Sequence, residues 1–415
     1  MSHFGNLLSV DLADGAVASR PLPESTCRKW LGGRALNVGM LYRHLRGTAR
    51  GILPLAPENP LLFSNGLLTG TPAPSSSRLH INAVSPLTGL LGSSNVGGDA
   101  GIRLREAGYG SIVLRGRADR PVFLDIGPDG AHIRDAAGLW GLDTEETHAA
   151  LEDLFPGEAF QSLAIGPGGE TGAAFACIVS DRDHAAGRTG MGAVMGAKRL
   201  KAIVVRGDGR PRREQKSEAV RAAVTDYLRR ITGSPDFKVF SELGGAGYVK
   251  WADDNALMST RNYRERRFSG SVALDGAGLR EARVRTRGCA RCPVRCKAVL
   301  RFTEGKYKDR DLFRPEFEPM INLGAKCGLA DAPTLIHLDN LLTRLGLDST
   351  SAATAIAFAM DLHDRGILDR KLSGGLDLSW GNGAVMETLI RQMAAGESLG
   401  GLLAGGVRRA AQAIG

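Results

Sequence analysis

Between residues 7 and 206 the apolar positions come in short runs, mostly alternating with polar ones, and glycine stands in nearly every gap. Residues 7–12 alternate, Asp14-Gly15 supplies a hairpin turn, and 16–22 continue as a second strand. The same period predicts strands at 61–64, 79–84, 111–114, 122–126, 163–165, 175–179 and 202–205. One helix interrupts them: Asp143, followed three residues later by Glu146, forms a capping-box pattern. No internal repeat or low-complexity segment is visible.

After Arg206 the period becomes helical. Residues 207–215 are polar and contain Pro211, which sets the expected boundary between a β-rich domain, 1–207, and a mainly helical domain, 208–415. Ser217 can cap a helix whose apolar face carries Val220, Val224, Tyr227 or Leu228, and Ile231. Asp331 caps a helix over 332–345, which Gly346 ends. Residues 349–362 are alanine-rich and suit a closely packed helix; 383–395 and 399–413 complete the set. The expected fold class is α+β, a β-sheet base followed by helices.

Length and composition, 415 residues at 43% hydrophobic, allow two or three cores. The longest apolar runs, such as 352–360, are too short to span a bilayer. Residues 1–15 lack the basic-then-apolar order of a secretory leader, so a cytoplasmic location is expected. The net charge of +9 is spread along the chain, densest at 261–267 and 280–295, without a basic stripe interleaved with aromatics. That disfavours nucleic acid and suits an anionic cofactor or an acidic electron-transfer partner.

Of six cysteines, Cys27, Cys177 and Cys327 are scattered, while CARCPVRC sets Cys289, Cys292 and Cys296 at C-x2-C-x3-C spacing. Thiolates are soft, charged donors, and gaps this short let one turn of backbone, stiffened by Pro293, aim three sulfurs at one centre. No nearby His or Cys completes a zinc set, so iron–sulfur is favoured, although a fourth cluster ligand is not evident either. Arg287, Arg291 and Arg295 would offset the cluster's charge. Two glycine-rich loops, GSSNVGGDAG at 92–101 and HAAGRTGMG at 184–192, could aim backbone amides at an anion. Neither is a Walker loop or a dinucleotide fingerprint, and tight turns give the same composition.

The ordered set LTGTPAPSSSR, SPLTGLLGSSNVGG, AGYGSIVLRG, AAGRTGMGAVMGAKRLKAI, CARCPVRC, RPEFE and LGLD resembles the tungsten-containing aldehyde:ferredoxin oxidoreductase family. The resemblance runs from about Gly5 to Gly415 and covers about two-thirds of the usual family chain, so the C-terminal domain is expected to be absent and the fold truncated. It implies a tungsten, or molybdenum, bis-pterin cofactor lying on the β-sheet base, with a 4Fe-4S cluster on Cys289, Cys292 and Cys296. By the same resemblance Arg78, Asn95 and Gly97 hold one side of the pterins. His184, Ala185, Gly187 and Arg188 hold them through the second loop. Backbone carbonyls of Asn95 and Ala185 bind magnesium, and Leu347 and Asp348 bond one pterin. Glu318, with its neighbour Glu316, is implied close to the metal.

Two residues depart from the family pattern. His184 stands where arginine is usual, and Thr343 replaces the first aspartate of D-x-x-G-L-D. The implied reaction converts an aldehyde and water to a carboxylate; two electrons leave through the cluster to ferredoxin or a dedicated electron-transfer subunit. Glu318 is the candidate for proton transfer. Neither nucleic acid nor membrane is an expected partner; a homodimer or hetero-oligomer is open. Competing expectations are an inactive, truncated remnant and a non-catalytic iron–sulfur electron-transfer subunit.

Overall fold

The computed structural model describes residues 4–46, 51–207 and 217–415. Two compact units emerge. The first comprises Met1–Tyr227, Cys289–Cys292 and Arg344–Leu347; the second comprises Leu228–Gly288, Pro293–Thr343 and Asp348–Gly415. The boundary expected at 207–215 lies, apart from Gly207, outside the described residues.

Among the described residues the first unit carries twelve strands in two six-stranded sheets. Strands β1 (Asn6–Asp11), β2 (Val17–Pro21), β3 (Leu61–Asn65), β4 (Leu79–Val84), β5 (Leu91–Val96) and β6 (Tyr109–Arg115) form the first, in the order β2-β1-β6-β3-β4-β5. Strands β7 (Val122–Gly127), β8 (Gly130–Asp135), β9 (Phe160–Ala164), β10 (Ile178–Ser180), β11 (His184–Ala186) and β12 (Leu200–Arg206) form the second, in the order β8-β7-β12-β9-β10-β11. The two orders are the same topology used twice. Each sheet opens with a hairpin, β1–β2 or β7–β8, whose first strand pairs in parallel with the last, β6 or β12. Each continues as an antiparallel meander.

Helices follow the same plan. Helices α1 (Glu24–Trp30) and α2 (Gly33–Leu45) lie between β2 and β3, and α3 (Ala100–Glu106) lies between β5 and β6. In the second half, α4 (Thr144–Leu154) and the short α5 (Pro167–Glu170) come earlier and α6 (Met191–Ala197) lies between β11 and β12. The chain therefore holds an internal structural repeat that its sequence does not display. The repeat is one of topology; the two halves share no motif long enough to read by eye.

Strand alternation explains the layers. Leu8, Val10, Phe63, Ile81, Ile112 and Leu114 of the first sheet join Leu124, Ile126, Leu163, Ile203 and Val205 of the second, with Leu104 of α3 and Val194 of α6, in one core. The opposite face of the first sheet buries Leu7, Leu62 and Val113 against Leu36 and Leu41 of α2. That of the second buries Phe123, Ala202 and Val204 against Leu151 of α4. The capping box on α4 is present, with Asp143 Oδ1 accepting from the Glu146 amide and the Glu146 side chain accepting from the Asp143 amide. Burying α4 is therefore not left to its apolar face alone; the cap contributes about 1 kcal/mol. Among the described residues the single expected helix becomes six: α1 is short and mostly polar, α5 has four residues, and α2, α3 and α6 mix glycine and alanine into their apolar positions.

The second unit is mostly helical and also holds an antiparallel sheet: β13 (Arg283–Arg287), β14 (Lys297–Arg301) and β15 (Asp311–Phe313). The helices expected at 332–345, 349–362 and 383–395 are Ala332–Leu345, Ser349–Asp364 and Gly383–Ala395. The last expected helix is two, Ser398–Ala404 and Val407–Ile414, parted at Gly405-Gly406, where Gly406 takes a positive φ of 90°. The helix expected after Ser217 spans Glu218–Thr232, but none of its residues is buried. No described helix is long and apolar enough to cross a membrane.

Candidate functional site

The two glycine-rich loops occupy the same place in the repeat. Each leaves the edge strand of its sheet, β5 or β11, and enters the following helix, α3 or α6. Asn95 and Ala185 are both the penultimate residue of their strands, and Gly97 and Gly187 both the first residue beyond. Low β propensity hid both strands from the sequence; pairing along the whole of β4 and β10 supplies the order that glycine, serine and alanine lack.

Side-chain hydroxyls tie the loops together. Ser94 Oγ donates to the Arg188 carbonyl at 2.9 Å and Ser85 Oγ to the Thr189 carbonyl at 2.8 Å. Arg188 and Thr189 both hold positive φ, 64° and 59°, ahead of Gly190 at 79°. Two non-glycine residues in the left-handed region cost on the order of 1–2 kcal/mol each. The carbonyls turned by that conformation are the ones the serines fix. Strain held in place by its surroundings is a mark of a functional loop.

Cys289 docks on these loops within the first unit. The Gly98 amide donates to Cys289 Sγ at 3.2 Å, and His184 Nε2 lies 3.5 Å from the same sulfur. The Ala290 amide donates to Asp99 Oδ1 at 2.7 Å, and the Ser75 amide to the Arg291 carbonyl at 3.2 Å. Ser75 Oγ lies 3.4 Å from Cys292 Sγ. A Cβ on Gly97 would stand 2.9 Å from Cys289 Sγ and 3.1 Å from the His184 ring, so only glycine leaves the sulfur its place. Arg78 Nη1 donates to Asn95 Oδ1 at 2.6 Å.

Charge follows from this packing. Burial would raise the Cys289 thiol, but the His184 ring, the Gly98 amide and Arg78 together hold it below its ordinary value. His184 Nδ1 faces Asp183 Oδ1 at 3.0 Å, and burial pushes nearby Asp181 up to about 6. Burial, then Arg34 and Arg78, lowers His80. Several buried polar atoms around the loops have no hydrogen-bond partner among the described residues: the Asn65 amide, His80 Nδ1, Ser93 Oγ and Ser180 Oγ. Such atoms fit a polar ligand.

The other expected residues divide between the two units. Leu347 belongs to the first unit, with its side chain 1% exposed and its backbone bridged to Ala176. Asp348 belongs to the second and caps Ser349–Asp364, accepting from the Ser351 amide at 2.9 Å. In the second unit Glu316 Oε1 pairs with Lys297 Nζ at 3.0 Å, and the Glu318 carbonyl accepts from Asn322. Thr343, at the departure from the family motif, returns its hydroxyl to the Asp339 carbonyl of its own helix.

Cys296 also belongs to the second unit, where its carbonyl accepts from Arg314. Among the described residues no three His, Cys, Asp or Glu side chains converge as a ready metal site. Cys327 is buried, its thiol pushed up to about 12 by burial. Sequence reasoning missed Ser75, Ser85, Ser94, Asp99 and Asp183; the serine-dense strings around 75–77 and 93–94 were the available signal.

Comparison with known proteins extends along the whole chain. Residues 7–207 match the family described as "Aldehyde ferredoxin oxidoreductase, N-terminal domain", and 222–415 match its "domains 2 & 3". The second match corrects the expectation that the C-terminal part is absent: sequence of domains 2 and 3 reaches the last residue. The tungsten-containing aldehyde ferredoxin oxidoreductase of Pyrococcus furiosus is 33% identical over 417 residues, covering 100% of this chain and 67% of the relative. That of Thermococcus kodakarensis is 34% identical, with the same coverage. The aliphatic sulfonate oxidoreductase WOR-like subunit of Pyrococcus furiosus is 30% identical, covering 100% and 68%. Among solved structures, the active-site complex BamBC of benzoyl coenzyme A reductase with 1,5-dienoyl-CoA superposes with a TM-score of 0.85 at 30% identity, covering 99% of this chain and 63% of that one. The chain thus spans about two-thirds of the length of these relatives.

Proposed function

The chain belongs to the aldehyde ferredoxin oxidoreductase family, and from that premise we propose that it binds a tungsten bis-pterin cofactor and oxidises small aldehydes to carboxylic acids. The observation that carries this reading is the pair of repeat-related loops, cross-tied by Ser85 and Ser94, with Cys289 seated on both. A doubled ligand suits a doubled scaffold. The carbonyls of Asn95 and Ala185, at the same position in the two halves, would bind magnesium, and Gly97 and Gly187 would allow a pterin to approach closely. The unpartnered Asn65, Ser93 and Ser180 groups are further polar contacts for a ligand of this kind.

The bound cofactor would supply two-electron redox chemistry at the metal; the chain orients and shields. Arg78 and Arg188 would hold anionic phosphates, and Leu347 and Asp348 would hold a pterin edge. Cys289, Cys292 and Cys296 would hold a 4Fe-4S cluster, which would supply one-electron transfer towards ferredoxin. The Gly98 amide and His184 stabilise the Cys289 thiolate that such a cluster needs. Glu318 accepts the proton released as water adds to the aldehyde carbon, and Glu316, two residues before it, pairs with Lys297 at 3.0 Å.

Identities of 33–34% to the aldehyde enzymes, against 30% to the sulfonate enzyme and the acyl-CoA reductase, favour the aldehyde. Elemental analysis of the purified chain tests the cofactors: tungsten with about four irons per chain is expected, and absence of both refutes the reading. Cys292→Ala should abolish iron–sulfur absorbance; unchanged iron in that variant would sink the cluster assignment. Reduction of a viologen dye by aldehydes, but not by aliphatic sulfonates or aromatic acyl-CoA thioesters, separates the substrates.

A further inference from the structure

A cavity of about 440 Å³ opens on the outer face of the first sheet, beneath α1 and α2 and at the β2 side, whereas the glycine loop leaves the β5 side. None of the residues assigned above to the cofactors or to catalysis lines it. Its floor is apolar and preformed: Leu7, Leu22, Leu36, Leu62 and Val113 are each at most 5% exposed. Its mouth is cationic. Arg20 from β2, Arg43 from α2 and Arg115 from β6 line it with exposed side chains, beside His44. Arg43 Nε donates to the Gly39 carbonyl of its own helix, and His44 Nε2 contacts the Glu58 carbonyl at 3.0 Å. Among the described residues no carboxylate lies within ion-pair distance of Arg20, Arg43 or Arg115. Elsewhere in this unit arginines find acids: Arg28 pairs with Glu24, Arg182 with Glu145, and Arg206 with Asp125.

Three guanidiniums around one mouth repel one another unless an anion joins them, and each offers a planar fork that matches carboxylate or phosphate. An apolar floor of this size takes a body of several carbons. We propose that this cavity binds an amphipathic organic anion, its carboxylate or phosphate head held by Arg20, Arg43 and Arg115 and its apolar body resting on Leu7, Leu36, Leu62 and Val113. The site is independent of the redox reading, since it shares no residue with the cofactor loops.

Calorimetric titration of the full purified chain tests it with four probes: octanoate, octyl phosphate, 1-octanol and acetate. One octyl anion per chain is expected to bind with a Kd of roughly 1 mM or tighter, a modest efficiency for so small a ligand. The tighter of the two identifies the head group. Octanol, lacking the charge, and acetate, lacking the body, should each bind at least about tenfold more weakly. Arg43→Gln and Arg115→Gln alter exposed side chains, so an unchanged unfolding midpoint is expected with an affinity about tenfold lower. Arg78→Gln and Arg188→Gln, in the cofactor loops, should leave binding unchanged. No saturable binding of either octyl anion overturns the proposal. So does equal binding of octanol or acetate, or an affinity that follows Arg78 or Arg188 instead of Arg43 and Arg115.

Discussion

Gly97→Ala isolates the seat of Cys289 with a single carbon. Gly97 does not occupy the left-handed region, unlike Gly98 at φ 76°, so alanine at 97 suffers no backbone strain and acts by volume alone. Its Cβ would stand 2.9 Å from Cys289 Sγ and 3.1 Å from His184 Cδ2. Ordinary contacts begin at about 3.5 Å, so the sulfur must retreat by roughly 0.6 Å and the imidazole by roughly 0.4 Å. Metal–ligand distances tolerate only about 0.2 Å, a third of that displacement. Retreat also weakens the bond from the Gly98 amide to the sulfur, now 3.2 Å. Overpacking of this kind costs about 1–3 kcal/mol, equivalent to roughly tenfold or more in cluster affinity. Iron per chain after desalting, with visible absorbance and the electron paramagnetic resonance of the reduced cluster, gives the readout; a loss of about half or more is expected. Gly138→Ala is the matched control, because its Cβ meets nothing within 4 Å and its φ is also unexceptional. Full iron and an unaltered cluster signal in Gly97→Ala would refute the placement of Cys289 as a ligand on this loop.

Three further outcomes are expected. Glu318→Gln should lower kcat for aldehyde oxidation by about 10²–10⁴-fold while iron and tungsten contents stay constant; a rate within a few-fold of the parent rules out proton transfer by Glu318. Lys201 is fully buried against Glu170 and donates to the Leu142 carbonyl at 2.7 Å. Lys201→Met should therefore cost about 3–5 kcal/mol in urea unfolding by stranding the Glu170 charge, whereas Lys201→Met with Glu170→Leu recovers much of the loss. Asp181, raised from 3.8 to about 6 by burial, keeps its proton longer when folded than when unfolded. Stability contributed by this group is thus present below pH 3.8 and falls as pH rises to about 6, by at most about 3 kcal/mol. Subtracting the profile of Asp181→Asn from that of the parent should reveal this slope, and a flat difference between pH 4 and 6 refutes it.

The parts of the fold that were legible share one property: their pattern is set within the element. Residues 7–22 form a hairpin because alternation and Asp14-Gly15 are local, and α4 starts where Asp143 and Glu146 cap it. The parts that were not legible depend on neighbours. Strands β5 (Leu91–Val96) and β11 (His184–Ala186) are mostly glycine, serine, asparagine and alanine, and take their conformation from β4 and β10. Helix Glu218–Thr232 has the expected period, yet its apolar face is left unburied, since periodicity states which residues could be covered and not what covers them. Gly405-Gly406 breaks a helix that apolar spacing alone ran through.

The sequence by itself determined the chemistry on offer. It contained three cysteines at ligand spacing, two glycine-rich loops, an ordered set of family motifs and the change from strand to helix period, all of which are properties of adjacent residues. Only the tertiary structure decided that the two loops are equivalent, because a repeat of strand order leaves no mark when the residues filling it diverge. It alone brought Cys289 to Gly98 and His184, residues separated by 191 and 105 positions. It also gathered Arg20, Arg43 and Arg115 at one mouth from three elements. Contacts of this kind are fixed by sheet order and layer packing, which a one-dimensional pattern constrains only in sum.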